Sequence, residues 1–495
     1  MKKKMRRKLP GLLITTTLCL AMVLFLLGLV RTRLFPNKLV LLAGGVFLLL
    51  AVIVGLLTAT TKRMGRMIVG MVLTLLILAG LVIGTTYLMD AVDTLNDMTQ
   101  VKVEITDVGV FVPQDDPAQS LNDALEYHFG MIESQDRAYI DTAIEQMEAE
   151  FGVRLTVSEF AGLEELLNAL FTEKRIDAIV INSAYLELLG EMEGYEHLDG
   201  QLRELHASRV ETELQSVVPE ETKSFLTEIL ESPEEMYVDP SFVVYISGID
   251  SRSGLIAKSR SDVNILAVVN PDTRQVLLVS TPRDYYVPLP ISQGVPDKLT
   301  HAGIYGVDVS IGTLEMLYQT NIDYYFRVNF SGFEKIIDSL GGITVYSDYS
   351  FSSGSYKFRE GENQLSGAQA LNFARERYAF AEGDRQRGRN QMAVIKGVIN
   401  KAMSPAILTN YTALMDSVSG SFETSMPYDK IADLVRNQLE EGGIWNVVSI
   451  SVDGTGATKR PYSMGSNAYV MIPDQDTVDA AIEKINKVRN GDILK

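Results

Sequence analysis

Five arginines fall within RERYAFAEGDRQRGRNQ, residues 375–391: Arg375, Arg377, Arg385, Arg387 and Arg389. Three acids, Glu376, Glu382 and Asp384, lie among them, which leaves a cationic surplus in a chain of net charge −18. A guanidinium keeps its proton at any physiological pH, and its fork matches phosphate oxygens two at a time. The stretch reads either as a solvated, salt-bridged face or as an anion site.

A second set of charged residues lies upstream. SFVVYISGID (241–250) is an extended apolar stretch ending on Gly248 and Asp250, and Arg260 and Asp262 follow twelve residues on in RSD. The strands VNILAVVN (263–270) and VLLVST (276–281) flank NPDTRQ, whose Asn-Pro-Asp start signals a turn. A hairpin centred near Thr273 pairs residue 270 with 276 and Val263 with Arg283. Asp262 and Arg283 then meet at its open end, beside Asp250. Two converging carboxylates are costly unless a cation separates them. Either Arg260 and Arg283 supply that cation as ordinary ion pairs, or Asp250 and Asp262 hold Mg2+, whose preference for oxygen ligands and retained waters suits carboxylates plus a phosphate. Asp284 has a supporting role. A pyrophosphate bridged by one Mg2+ takes up the arginine surplus.

The elements that position these groups are legible. Ser366 and Gln369 read as a capping box for a helix to about Phe373, with Arg375 and Arg377 following in extended chain. A second helix runs from about Asp384 to Met403, its core face being Met392, Ile395, Ile399 and Ala402. Arg387 and Gln391, one turn apart, lead into the inward side at Val394 and Val398. Arginine at a helix start opposes the macrodipole unless an anion is present to profit from both.

Three apolar runs, Leu9 to Val30, Leu39 to Thr60 and Met67 to Met89, are each long enough to cross roughly 30 Å of hydrocarbon. The N-terminal flank carries six basic residues and the second connection three, against three in the first connection, and acids follow the third run from Asp90. The N-terminus is therefore expected in the cytoplasm and everything after residue 90 outside. No acid precedes Asp90, so the remainder holds 33 basic and 63 acidic residues, a net of −30. A domain that acidic repels nucleic acid, and its anion ligand must meet a local patch. Cys19, the only cysteine, sits in the first apolar run, so neither disulfides nor thiol chemistry are expected. His128, His197 and His206 lack partners at metal-ligand spacing.

Between Val101 and about Leu230, VRLTV (153–157), an amphipathic helix from Glu159 to Phe171 and DAIVIN (177–182) suggest a parallel βαβ crossover. ESPEEMYVDP (231–240) reads as a linker. WNVVSISV (445–452) and DTVDAAIEKINKV (476–488) complete the last domain as strand and helix. The expected organisation is α/β throughout the part outside the membrane: residues 1–90 a membrane region of three transmembrane helices, 91–235 a small α/β accessory domain, and 236–495 a layered α/β catalytic domain with a central mixed sheet flanked by helices.

GID with RSD twelve residues on, STPRD, HAGIYG, FSGFEKIIDSLGGITV, LSGAQALNFARERY and GDRQRGRNQ resemble, in order and spacing over about residues 240 to 400, the LytR-CpsA-Psr family of membrane-anchored glycopolymer phosphotransferases. The three spans and the middle segment resemble its capsule-associated branch, in which an accessory domain precedes the catalytic one. The resemblance implies transfer of a glycopolymer, a capsular polysaccharide or a teichoic-acid-like polymer, from a polyprenyl-pyrophosphate carrier to a peptidoglycan hydroxyl as a phosphodiester. It implies Asp250 and Asp262 as the Mg2+ carboxylates, Arg260, Arg283, Arg375, Arg377, Arg387 and Gln391 around the pyrophosphate, and a lipid tunnel between sheet and helices. Asp250, Asp262, Arg260 and Arg283 are the expected catalytic residues; His301 is given no catalytic role. A non-catalytic carrier of the same lipid and a lipid pyrophosphatase remain as alternatives.

Overall fold

The computed structural model describes residues 9–58, 64–99, 103–133, 136–192, 194–198, 200–213, 241–249, 258–404 and 422–494. Asp250 and the expected linker 231–240 lie outside the described residues. The chain divides into two compact units.

The first unit comprises Met1–Gln100, Leu408–Ser419 and Met426–Ile444. Its helices α1 (Leu9–Arg31), α2 (Asn37–Thr58) and α3 (Met64–Thr99) each contain a stretch long and apolar enough to cross a membrane. Leu18, Met22, Val54 and Leu81 form a small core between them, while most other large apolar side chains face outward, as lipid-facing helices require. Helix Tyr428–Glu441 also belongs to this unit, whereas the expected catalytic domain spans all of 236–495. It meets the basic connection between α1 and α2: the Tyr428 hydroxyl donates to the Thr32 carbonyl at 2.7 Å, and Lys38 pairs with Glu440 at 3.2 Å.

The second unit comprises Val101–Ile407, Gly420–Ser425 and Trp445–Lys495. Its first part is a five-stranded sheet of β1 (Val103–Pro113), β2 (His128–Ile132), β3 (Thr156–Phe160), β4 (Ala178–Asn182) and β5 (Leu202–Glu213), in the order β3-β2-β4-β1-β5. Helix α4 (Arg137–Phe151) connects β2 to the parallel β3 and buries Ile140, Ala143, Ile144 and Met147. The expected crossover between β3 and β4 is present, but β2 lies between the two strands, parallel to both. The first of them starts at Thr156 rather than Val153.

The second part is a six-stranded mixed sheet of β6 (Phe242–Ile249), β7 (Ser261–Asn270), β8 (Gln275–Thr281), β9 (Tyr324–Asn329), β10 (Phe422–Thr424) and β11 (Asn446–Ser451), ordered β10-β9-β6-β7-β8-β11. Strand alternation sends Val243, Tyr245, Leu266, Val268, Leu277 and Val279 to one face. There they pack on helix α5 (Val307–Tyr318), through Leu314 and Tyr318, and on a C-terminal helix, through Val478, Ala481, Ile485 and Val488. The opposite face is covered by α6 (Phe330–Ser339), α7 (Gly367–Arg375) and α8 (Asp384–Ala402). With helices on both faces, all of β8 is buried.

The β7–β8 register corrects the expectation by one residue. Asn270 pairs with Gln275, not with 276, and Asn264 pairs with Thr281. The turn therefore holds the four residues 271–274. Arg274 takes a left-handed conformation (φ 49°), and the Asn270 side chain accepts from the Thr273 amide at 3.2 Å. Extended past the ladder, this register sets Asp262 itself across from Arg283.

Candidate functional site

Between the sheet and helices α6–α8 lies a cavity of about 380 Å³. Its floor is apolar: Ile246, Val263 and Val328 from the sheet meet Phe333, Leu371 and Ile395 from the helices. Gly248 lets Val263 pack close against its strand, because a Cβ there would lie 2.8 Å from the Val263 side chain. The same lining carries Asp262, Arg283, Arg375, Arg377, Arg387 and Gln391. Four guanidinium groups thus face one carboxylate among the described lining residues.

Each group is held by its element. The capping box of Ser366 and Gln369 starts α7, which ends on Arg375 two residues beyond the expected Phe373. The Arg375 guanidinium lies 4.4 Å from the centre of the Phe330 ring and makes no ion pair among the described residues. After the helix the chain extends, and Arg377 stacks on Tyr378 at 4.7 Å and donates to its hydroxyl at 2.5 Å. On α8, Arg387, Gln391, Val394 and Ile395 all line the cavity, so one helical stripe passes from cationic to apolar.

The other two arginines of the cluster do what a salt-bridged face does. Arg385 pairs with Asp453 at 2.7 Å, and Arg389 pairs with Glu382 while donating to Gln386. Glu376 is engaged by its own turn, accepting from the amides of Tyr378 and Ala379 at 2.8 and 2.9 Å. Burial works against its ionisation, but these bonds and one from Ser353 prevail and lower its carboxyl.

Asp262 accepts from Arg283 Nη1 at 2.7 Å. Arg283 Nη2 lies 3.4 Å from Glu191 and its Nε 3.7 Å from Asp284, so three carboxylates surround one guanidinium. Burial disfavours that charge, yet Asp262, Asp284 and Glu191 outweigh burial and hold the Arg283 proton more tightly than usual. Arg260 is not in the cavity lining. Its Nε donates to Glu187 at 2.8 Å and its Nη1 to Glu191 at 2.6 Å, both on the five-stranded part. His301 is wholly buried, with Nδ1 at 2.7 Å from Asp297 and 2.9 Å from Ser463 Oγ, and lines neither cavity. Glu187, Glu191 and Lys298 went unnoticed in the sequence because nothing local marks them; their partners are distant in the chain.

A second, smaller cavity of about 160 Å³ shares Asp262, Arg283, Arg387 and Gln391 with the first. Its other walls carry more polar groups than the first cavity, including Ser280, Asp284, Arg385 and Asp453, beside the apolar Pro282, Val452 and Met471. The shared residues thus stand where an apolar chamber and a polar one meet. No group of three or more metal-ligating side chains occurs among the described residues. Asp262 does offer one hard oxygen donor amid space for phosphate oxygens, and few protein ligands plus phosphate is the set that Mg2+ commonly takes.

A model of the LytR_cpsA_psr family matches residues 207–487. The polyisoprenyl-teichoic acid–peptidoglycan teichoic acid transferase TagU of Oceanobacillus iheyensis is 35% identical over 222 residues, 43% of this chain and 68% of that protein. Its Bacillus subtilis namesake is 34% identical over 219 residues, 44% of this chain and 70% of its own length. Among solved structures, Bacillus subtilis TagV aligns over 52% of this chain and 99% of its own, at 25% identity and a TM-score of 0.43. TagT bound to LI-WTA aligns over 51% and 91%, at 27% identity and a TM-score of 0.41.

Proposed function

This chain belongs to the LytR-CpsA-Psr family, and on that premise we propose that it transfers a glycopolymer from a polyprenyl-pyrophosphate carrier to peptidoglycan, forming a phosphodiester. The observation that carries this reading is an apolar cavity lined by four guanidinium groups, two of which, Arg283 and Arg387, also line the second chamber. The apolar chamber suits a polyprenyl chain, and the arginines suit the pyrophosphate that follows it.

Phosphoryl transfer asks for positioning and charge neutralisation more than for covalent help from the protein. Arg283, Arg375, Arg377 and Arg387 would grip the pyrophosphate oxygens, and Gln391 would donate to them. The acceptor hydroxyl attacks the sugar-linked phosphorus, the bond from that phosphorus to the bridging oxygen breaks, and polyprenyl phosphate leaves with the electron pair. Attacking and leaving oxygens lie roughly in line. With the lipid in the apolar chamber, the acceptor therefore comes from the polar one. Asp262 or Asp250 would take the acceptor proton. Asp262, with Asp250, would also hold Mg2+, which supplies charge neutralisation to the phosphates when bound. Arg260, engaged by Glu187 and Glu191, would support the site from outside its lining.

The basic N-terminus and the acids after the third span support a cytoplasmic start and an external catalytic part. The relatives are named for teichoic acid, whereas the resemblance to the capsule-associated branch points to a capsular polysaccharide, so both donors belong in the assay. Full-length protein in detergent with a labelled polyprenyl-pyrophosphate oligosaccharide, peptidoglycan and Mg2+ should place label on peptidoglycan, and EDTA should abolish this. Tight lipid binding without transfer would instead make the protein a carrier.

A further inference from the structure

Glu191 lies 92 residues before Arg283 in the sequence and on the other part of the second unit, yet it faces the guanidinium at the junction of the two chambers. We infer that Glu191 is a positioning residue for Arg283, an assignment that rests on the transfer reading above. Glu191 lines neither cavity, so it acts on a ligand only through its partners. Its Oε1 takes Arg260 Nη1 at 2.6 Å and lies 3.4 Å from Arg283 Nη2, while its Oε2 takes Lys298. Lys298 is buried and reaches on to Asp284 at 3.5 Å, which in turn faces Arg283 Nε.

Arg283 is thus held on one side by Asp262 and on the other by Glu191, and two anchors on a planar fork fix both its position and its plane. Arg375 and Arg377 are oriented by aromatic rings instead. Glu187 assists by taking Arg260 Nε, which keeps that side chain on the Glu191 side and away from the cavity. The five-stranded part thereby becomes a component of the site, because it supplies the carboxylate that holds the guanidinium where a fixed donor costs no reordering when the anion binds.

The sign of one mutational effect tests this. A carboxylate that merely stands near an anion site repels the anion, so removing its charge tightens binding. A positioning carboxylate does the reverse. Binding of geranylgeranyl pyrophosphate to full-length protein in detergent should weaken about 10-fold in Glu191→Gln, roughly the loss of one ordered charge-assisted contact. Glu191→Asp should recover part of that loss. Should Glu191→Gln fail to fold, Glu191→Gln with Lys298→Gln removes the stranded buried cation along with the anchor, and the same loss is expected. Affinity equal to or tighter than wild type in either variant overturns the inference. Failure of the wild type to bind the probe overturns the transferase reading instead.

Discussion

At the scale of the residue, the arginine cluster divides into two chemistries. Arg385 pairs with Asp453 and Arg389 with Glu382; Arg375, Arg377 and Arg387 line the first cavity with Arg283. Replacing Arg387 by alanine should cost about 1.5–3 kcal/mol of pyrophosphate binding, a loss of roughly 10- to 100-fold, measurable by titration with a short polyprenyl pyrophosphate. Acid titration of Glu191 gives a second expectation. Burial opposes its charge, but Lys298, His301 and Arg283 together lower the carboxyl from 4.5 to about 2. A lowered folded value contributes stability that is complete above the unfolded value near 4.5 and is lost as pH falls toward 2. That contribution is on the order of 3 kcal/mol. Denaturant unfolding across this window should show a shallower decline in Glu191→Gln than in wild type. Asp262, Arg283, Arg387 and Gln391 were legible in the sequence because a turn or a helix repeat ties each to near neighbours. Glu191 was not, since its three cationic partners lie 69 to 107 residues away.

At the scale of the element, the cavity exists because helices α6–α8 stand off a sheet face whose own side chains are modest. Filling that gap should separate the two halves of the ligand. Leu371→Trp on α7 should weaken binding of a long polyprenyl pyrophosphate while leaving inorganic pyrophosphate binding nearly unchanged, as competition between the two would reveal. The capping box, the α8 stripe and the hairpin were readable from local chemistry. The hairpin register was not, because residues 271–274 form a four-residue turn whose left-handed step falls on Arg274 rather than on any glycine. Strands β1 and β5 also escaped notice. They pair along eleven residues, but β5 is largely polar and alternates weakly, as an edge strand can.

At the scale of the whole molecule, charge segregation and the three apolar helices carry the proposed orientation. Cysteine introduced at exposed Ser352 should react with a membrane-impermeant maleimide in intact cells, whereas cysteine at Lys3 should react only after permeabilisation. Labelling of both positions in intact cells would refute the orientation. The helix Tyr428–Glu441, inserted late in the chain yet packed with the first unit, could not be foreseen, because the residues that receive it lie nearly 400 positions earlier. The proposed reaction is a displacement at the sugar-linked phosphorus by a peptidoglycan hydroxyl. The most direct test follows polyprenyl monophosphate released from a glycan-loaded polyprenyl pyrophosphate, with and without peptidoglycan, and determines the mass of the product linkage. Release is expected only when acceptor is present, in step with a product carrying a single bridging phosphate. Equal release without acceptor, or a product lacking that phosphate, would contradict it.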